Sequence, residues 1–126
     1  MPAPPSEEEV AGFISDTFGS VWALELLLLL KREGARSWPR RELVAALRAS
    51  DSVIDRGIAS LLAAGLVVVE EDDSARYAPA GPGLAALVEA AEGLYRQKPD
   101  GVRRLIILPR HDGLSAFSDA FRLRRD

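Results

Sequence analysis

The sequence predicts a mainly α-helical, α+β chain in which a helix pair leads into a two-stranded hairpin and a helical extension follows. Two observations predict it. In residues 49–71, ASDSVIDRGIASLLAAGLVVVEE, a helical pattern stops at Gly65 and a β-branched run takes over. The polar turn EDDS then separates that run from ARYAPA, so two short extended segments lie back to back.

Ser52 with Asp55 three residues on reads as a capping box, which starts the second helix of the pair near Ser52. At about 100° per residue, Ile54, Ile58, Leu61 and Leu62 share an inward arc. Ser52, Val53, Arg56, Ala59, Ser60 and Ala63 fall on the displayed arc, with Asp51 and Gly57 beside Arg56. Gly65 supplies the left-handed residue that ends a helix, and 66–69 suits a buried strand.

Upstream, the Pro-rich start has few backbone donors to tie it down, and Ser6 followed by Glu7, Glu8 and Glu9 reads as a capped helix start. Val10, Phe13 and Ile14 share a face of that first helix. Gly19 breaks the pattern and Ser20 caps a second helix, VWALELLLLLKRE. Its apolar residues cover well over half the circumference, more than one surface stripe requires. Either the helix is central and also touches a partner subunit or the C-terminal helices, or it is buried within one chain. The segment 36–38 suits a short strand, and Pro39 favours the start of the helix over 40–48, with Leu43, Val44 and Leu47 inward.

Downstream, Gly81, Pro82 and Gly83 mark a boundary. Three regions follow: 1–18 as tail and short helix, 19–80 as the central domain, and 84–126 as C-terminal helices. Leu84, Leu87, Val88, Ala91, Leu94 and Tyr95 form a helical stripe, with Glu92 and Arg96 spaced for an i,i+4 pair. VRRLIIL is short enough to be helix or strand; Pro99 and Asp100 suit a helical first turn. Leu114, Phe117 and Phe121 mark a last amphipathic helix, with Arg122, Arg124 and Arg125 near its negative end.

The net charge of −3 conceals segregation. Residues 1–30 hold five acids and no base, 31–48 six bases and two acids, 49–75 six acids and one base, and 95–126 eight bases and four acids. Separate faces of opposite sign follow. With no cysteine, disulfides and thiolate metal sites are excluded, and His111 alone makes no zinc site. Asp72 and Asp73 at a hairpin tip lack the convergent oxygens that calcium needs. No nucleophile has an identifiable base and no Gly-rich phosphate loop is present, so neither an enzyme nor a cofactor is expected. The N-terminus is not that of a secretory signal, and the apolar run 21–30 is about half the ~20 residues that span a bilayer. A soluble cytoplasmic protein is expected.

The spacing of Ser52, Ile54, Arg56, Ile58, Leu61, Gly65, Leu66 and Val67 resembles the recognition helix and first wing strand of winged helix-turn-helix regulators of the MarR-like kind. This resemblance covers about residues 20–80, and the ending AFSDAFRLRRD is similar to the tails of small bacterial winged-helix proteins. It implies a winged helix-turn-helix domain with a two-stranded wing, a homodimer and double-stranded DNA as partner. On that reading Arg56, with Ser52, Val53, Ala59 and Ser60, faces the bases, and Arg40, Arg41 and Arg76 hold phosphates. Trp22, Leu26, Leu87, Leu94, Phe117 and Phe121 are candidates for a dimer or partner surface. The sequence departs from many family members in its small, nearly uncharged display arc and its acidic wing tip. Each carboxylate about 8 Å from a phosphate is repelled by roughly 0.5 kcal/mol in water. A second expectation therefore stands beside the first: the same fold used as a protein-binding adaptor or anti-regulator. A third is small-ligand sensing between the C-terminal helices and the central domain.

Overall fold

The structure, a computed structural model, describes residues 4–108. It is mainly helical with one small antiparallel sheet, in the order α1 (Glu7–Thr17), α2 (Val21–Arg32), α3 (Arg40–Leu47), α4 (Asp51–Ala63), β1 (Val67–Val69), β2 (Ala75–Tyr77), α5 (Pro82–Gln97) and α6 (Pro99–Ile107). His111, Leu114, Phe117, Phe121 and the arginine-rich ending lie outside the described residues.

The helix starts follow local chemistry. Ser6 and Glu9 cap α1 reciprocally, each side chain taking the other's backbone N–H. Ser20 Oγ accepts from Ala23 N at the start of α2, and Pro39 precedes α3. The cap of α4 is Ser50, whose Oγ accepts from Val53 N; the expected Ser52–Asp55 box does not form. Asp55 is instead occupied by an arginine from α3. At the other end, Leu66 N donates to Leu61 O and Gly65 N to Leu62 O, with Gly65 at φ +76°. This pairing ends α4 and turns the chain into the sheet.

β1 and β2 pair antiparallel with Val67 opposite Tyr77, Val68 opposite Arg76 and Val69 opposite Ala75. Of the short strand expected over 36–38, only Trp38 bridges, to Ala75. VRRLIIL is helical, within α6. The Glu92–Arg96 pair forms at 3.9 Å.

α2 is the axis of the molecule. Ala23, Leu24, Leu26, Leu27 and Leu30 are buried, and the helix packs on α3, α4, β2 and α6. Its tightest neighbour is α4, because Gly57 has no side chain to hold the helices apart. A Cβ at Gly57 would lie 3.0 Å from Leu26 Cδ2. Gly57 is therefore interior, not on the displayed arc, while Leu62, expected inside, is 48% exposed. Leu26, a candidate for a partner surface, is 1% exposed and serves the α2–α4 contact.

α1 turns away from α2 by 108° and packs on α5 and α6, so both flanks of the chain meet in one layer. Across 81–83 the polypeptide runs directly into α5, with Gly81 as its N-cap. Lys31 ties α2 to α5 through Glu89 at 3.0 Å and Glu92 at 2.8 Å, and the Tyr95 hydroxyl donates to Glu25. Among the described residues no single helix is long and apolar enough to cross a membrane.

Candidate nucleic-acid interface

The α3–α4 pair and the hairpin carry the residues singled out from the sequence. α4 buries Ile54, Gly57, Ile58 and Leu61, which leaves Ser52, Arg56, Ala59 and Ala63 exposed on the opposite side. Val53 and Ser60 sit half-buried at the edge facing α2. The Ser60 hydroxyl donates to the Thr17 carbonyl at 3.0 Å, so it anchors α4 to the end of α1. The Ser52 hydroxyl lies 3.3 Å from that of Ser50. Arg56 is thus the one charged group at the middle of a face whose other side chains are small, and it has no hydrogen-bond or ion-pair partner among the described residues.

The three arginines expected at phosphates divide. Arg41 is exposed and without an ion pair among the described residues. Arg40 is committed elsewhere: its Nη1 pairs with Asp55 on α4, and its Nε donates to the Asp73 carbonyl at 2.9 Å in the hairpin turn. Arg76 pairs with Glu70 at 3.4 Å across the hairpin. One arginine therefore ties α3, α4 and the hairpin together, and another neutralises an acid on its own sheet.

The hairpin turn is held by its own backbone. Glu70 N donates to Ser74 O at 2.8 Å, Asp73 N to Glu70 O at 3.0 Å, and Ser74 N to Asp72 Oδ1 at 3.0 Å. That last bond holds the Asp72 carboxyl below the ordinary carboxylate range. Asp73 takes φ +68°, a left-handed value that aspartate tolerates better than most residues. Glu71, Asp72 and Asp73 stay exposed, so the tip presents three acidic side chains.

Replacing Arg40 tests its tying role. Arg40→Ala is expected to lower stability by about 1 kcal/mol, because the lost ion pair is partly exposed and the Asp73 carbonyl regains water. Amide exchange over 67–77 is the measurement, and it should quicken selectively. Unchanged protection there would show that Arg40 does not hold the hairpin.

Two further groups stand near this face: Trp22, which the sequence places among the candidates for a dimer or partner surface, and Arg48, which it does not single out as a site residue. Trp22 on α2 is 43% exposed and stands beside α4. Its signal was the excess width of the apolar arc on α2. Arg48, the C-cap of α3, adopts φ 54°, ψ 41° and is exposed without a partner among the described residues. Only its place between two helices, where glycine or asparagine is usual, hinted at it.

Among the described residues, no group of His, Cys, Asp or Glu side chains is arranged to hold a metal ion. Comparisons with protein-family models, curated proteins and solved structures return no match.

Proposed function

We propose that residues 20–80 form a winged helix-turn-helix module of a homodimeric, cytoplasmic transcriptional regulator, with α4 as the recognition helix and the β1–β2 hairpin as the wing. The observation that carries this reading is the return of Trp38 onto Ala75. Helix, single bridging residue, helix pair and hairpin then follow in the order such modules use. Fold analogy alone would leave the activity open, so the displayed residues must supply the rest.

Arg56 is the candidate base reader, through guanine O6 and N7. The small side chains of Ser52, Ala59 and Ala63 allow α4 to approach the groove floor. Arg41 and Arg48 are the candidate phosphate contacts, in place of Arg40 and Arg76, whose charges are already paired. Two such contacts per subunit make about four per dimer, which gives a log–log salt slope of roughly −4. Binding is therefore modest and strongly salt-dependent.

Fluorescence anisotropy with genomic duplex fragments tests this. Arg56→Ala should cost about 1–3 kcal/mol on the preferred sequence and remove the preference. Arg41→Ala combined with Arg48→Ala should weaken every duplex alike and flatten the salt slope. No duplex binding at about 50 mM salt would overturn the reading.

A second reading, a protein-binding adaptor, is favoured by a specific observation. Arg40 and Arg76 are neutralised while Glu71, Asp72 and Asp73 remain exposed, an arrangement that repels phosphate and suits a basic protein surface.

A further inference from the structure

Trp22 is the ridge between two grooves. One, of about 370 Å³, is walled by Trp22, Val53, Arg56 and Gly57; the other, of about 380 Å³, by Trp22, Ala46, Leu47 and Arg48. Each groove carries one arginine that has no partner among the described residues. The first is lined by no carboxylate. The second is lined by one carboxylate, that of Glu25, which accepts from the Tyr95 hydroxyl.

Arg48 adds a separate observation. Its backbone is left-handed, where a non-glycine residue is held at a cost in stability. Arg48 is thus an exposed cation, unpaired among the described residues, on a backbone that glycine would adopt at lower cost.

We propose that this ridge docks a short segment of a partner protein in which apolar side chains are flanked by carboxylates. The apolar side chains enter the grooves on either side of Trp22, and the carboxylates meet Arg48 and Arg56. Exposed tryptophan and arginine together are the residue types that dominate protein recognition. The aliphatic walls Val53, Ala46 and Leu47 favour a side-chain guest; Trp22 offers a single stacking platform and Arg48 and Arg56 two cations, whereas a nucleic-acid strand draws on successive aromatic platforms and more phosphate contacts. Docking does not depend on the DNA-binding reading. If that reading holds, the shared Arg48 and Arg56 make partner and duplex mutually exclusive.

The test uses the full chain carrying Trp38→Phe, so that emission reports Trp22 alone. Trp38 Nε1 is buried without a hydrogen-bond partner, so this exchange also removes an unsatisfied donor. The probe is a labelled synthetic peptide with a Leu-Phe pair flanked by aspartates, and its control has lysines in their place. Saturable anisotropy and a shift in Trp22 emission are expected with the acidic peptide only. Arg48→Gly should weaken binding about 5-fold, the value of one partly exposed charge pair, while raising Tm by about 2–4 °C through relief of the left-handed backbone. Arg56→Ala should weaken it by a similar factor, and Trp22→Ala should abolish it.

Equal binding of the lysine peptide, or an Arg48→Gly variant with undiminished affinity, overturns the proposal. So does a single-stranded oligothymidylate that binds more tightly than the peptide, which would assign the ridge to nucleic acid. Duplex binding is measured separately: peptide capture without duplex affinity removes the DNA reading and leaves the docking ridge standing.

Discussion

Gly57→Leu is expected to lower stability by at least about 3 kcal/mol and Tm by roughly 10 °C or more. The reason lies in the α2–α4 contact. A first carbon at this position already reaches 3.0 Å from Leu26 Cδ2 and 3.9 Å from Ala23 Cα. Leu26 is fully enclosed and Ala23 presents backbone, so four added carbons have nowhere to go unless the helices separate. Separation would uncover Leu24, Leu27, Ile54 and Leu61 together. Gly57→Ala is the internal control, because it sets two effects of similar size against each other. Alanine favours the helix by about 0.8–1 kcal/mol, while Leu26 must yield by a few tenths of an ångström. The expected net change is within about 1 kcal/mol of zero. Denaturant and thermal melts of the three proteins decide the matter; a leucine variant as stable as the parent would mean that α4 does not lie against α2 in this way.

Lys31→Met comes second, with an expected loss of about 2 kcal/mol at neutral pH. The Lys31 side chain is only 17% exposed and faces Glu89 and Glu92. Methionine keeps the packing of the stem but leaves Glu89 and Glu92 facing one another, with the exposed Arg96, 3.9 Å from Glu92, as the remaining cation among the described residues. Breaking a fully buried pair costs about 3–5 kcal/mol and an exposed one under about 1, and this site is intermediate.

The pH dependence is distinctive. Hydrogen bonding to Glu92, more than offsetting burial, raises the Lys31 pKa above the ordinary 10.5. Burial raises Tyr77 above 10.0, and burial with the Glu25 hydrogen bond raises Tyr95 in the same direction. In all three the folded state holds its proton more tightly than the unfolded chain. The stability they contribute is complete below about pH 10 and is lost as pH rises through the folded values. The Tm difference between parent and Lys31→Met should therefore be constant from neutral pH to about pH 9, then narrow above about 10.5. A difference that stays constant into strong alkali would show that Lys31 is not protonated more tightly in the fold.

Much of the architecture was legible because it is written in local chemistry. Ser6, Ser20 and Gly65 mark helix ends through their own side chains or their lack of one, and the β-branched run after Gly65 announces a strand. The misreadings share one cause. Ser50 and Ser52 compete for the same helix start, and Asp55 tips a local reading towards Ser52; in the fold Asp55 answers to Arg40, 15 residues earlier. Leu62 lies at the edge of the inward arc, and which edge is covered depends on the neighbour that packs there. Gly57 looked displayed because nothing in its own helix says that α2 approaches on that side. For the candidate interface, the exposure of Arg56 was readable from periodicity and the place of Arg41 in the first turn of α3 from Pro39 before it. The pairing of Arg40 and Arg76 was not, since both depend on where the hairpin comes to rest.

The packing of α1 on α5 and α6 has a consequence for synthesis. During translation α1 is made before α5 and α6, and roughly 90 residues separate its end from that of α6, which helps to cover it. At about 5–20 residues per second this leaves Val10, Ile14 and Phe18 uncovered for roughly 5–20 seconds on the ribosome. The acidic first turn of α1 keeps that waiting segment charged, and therefore soluble, until its cover arrives.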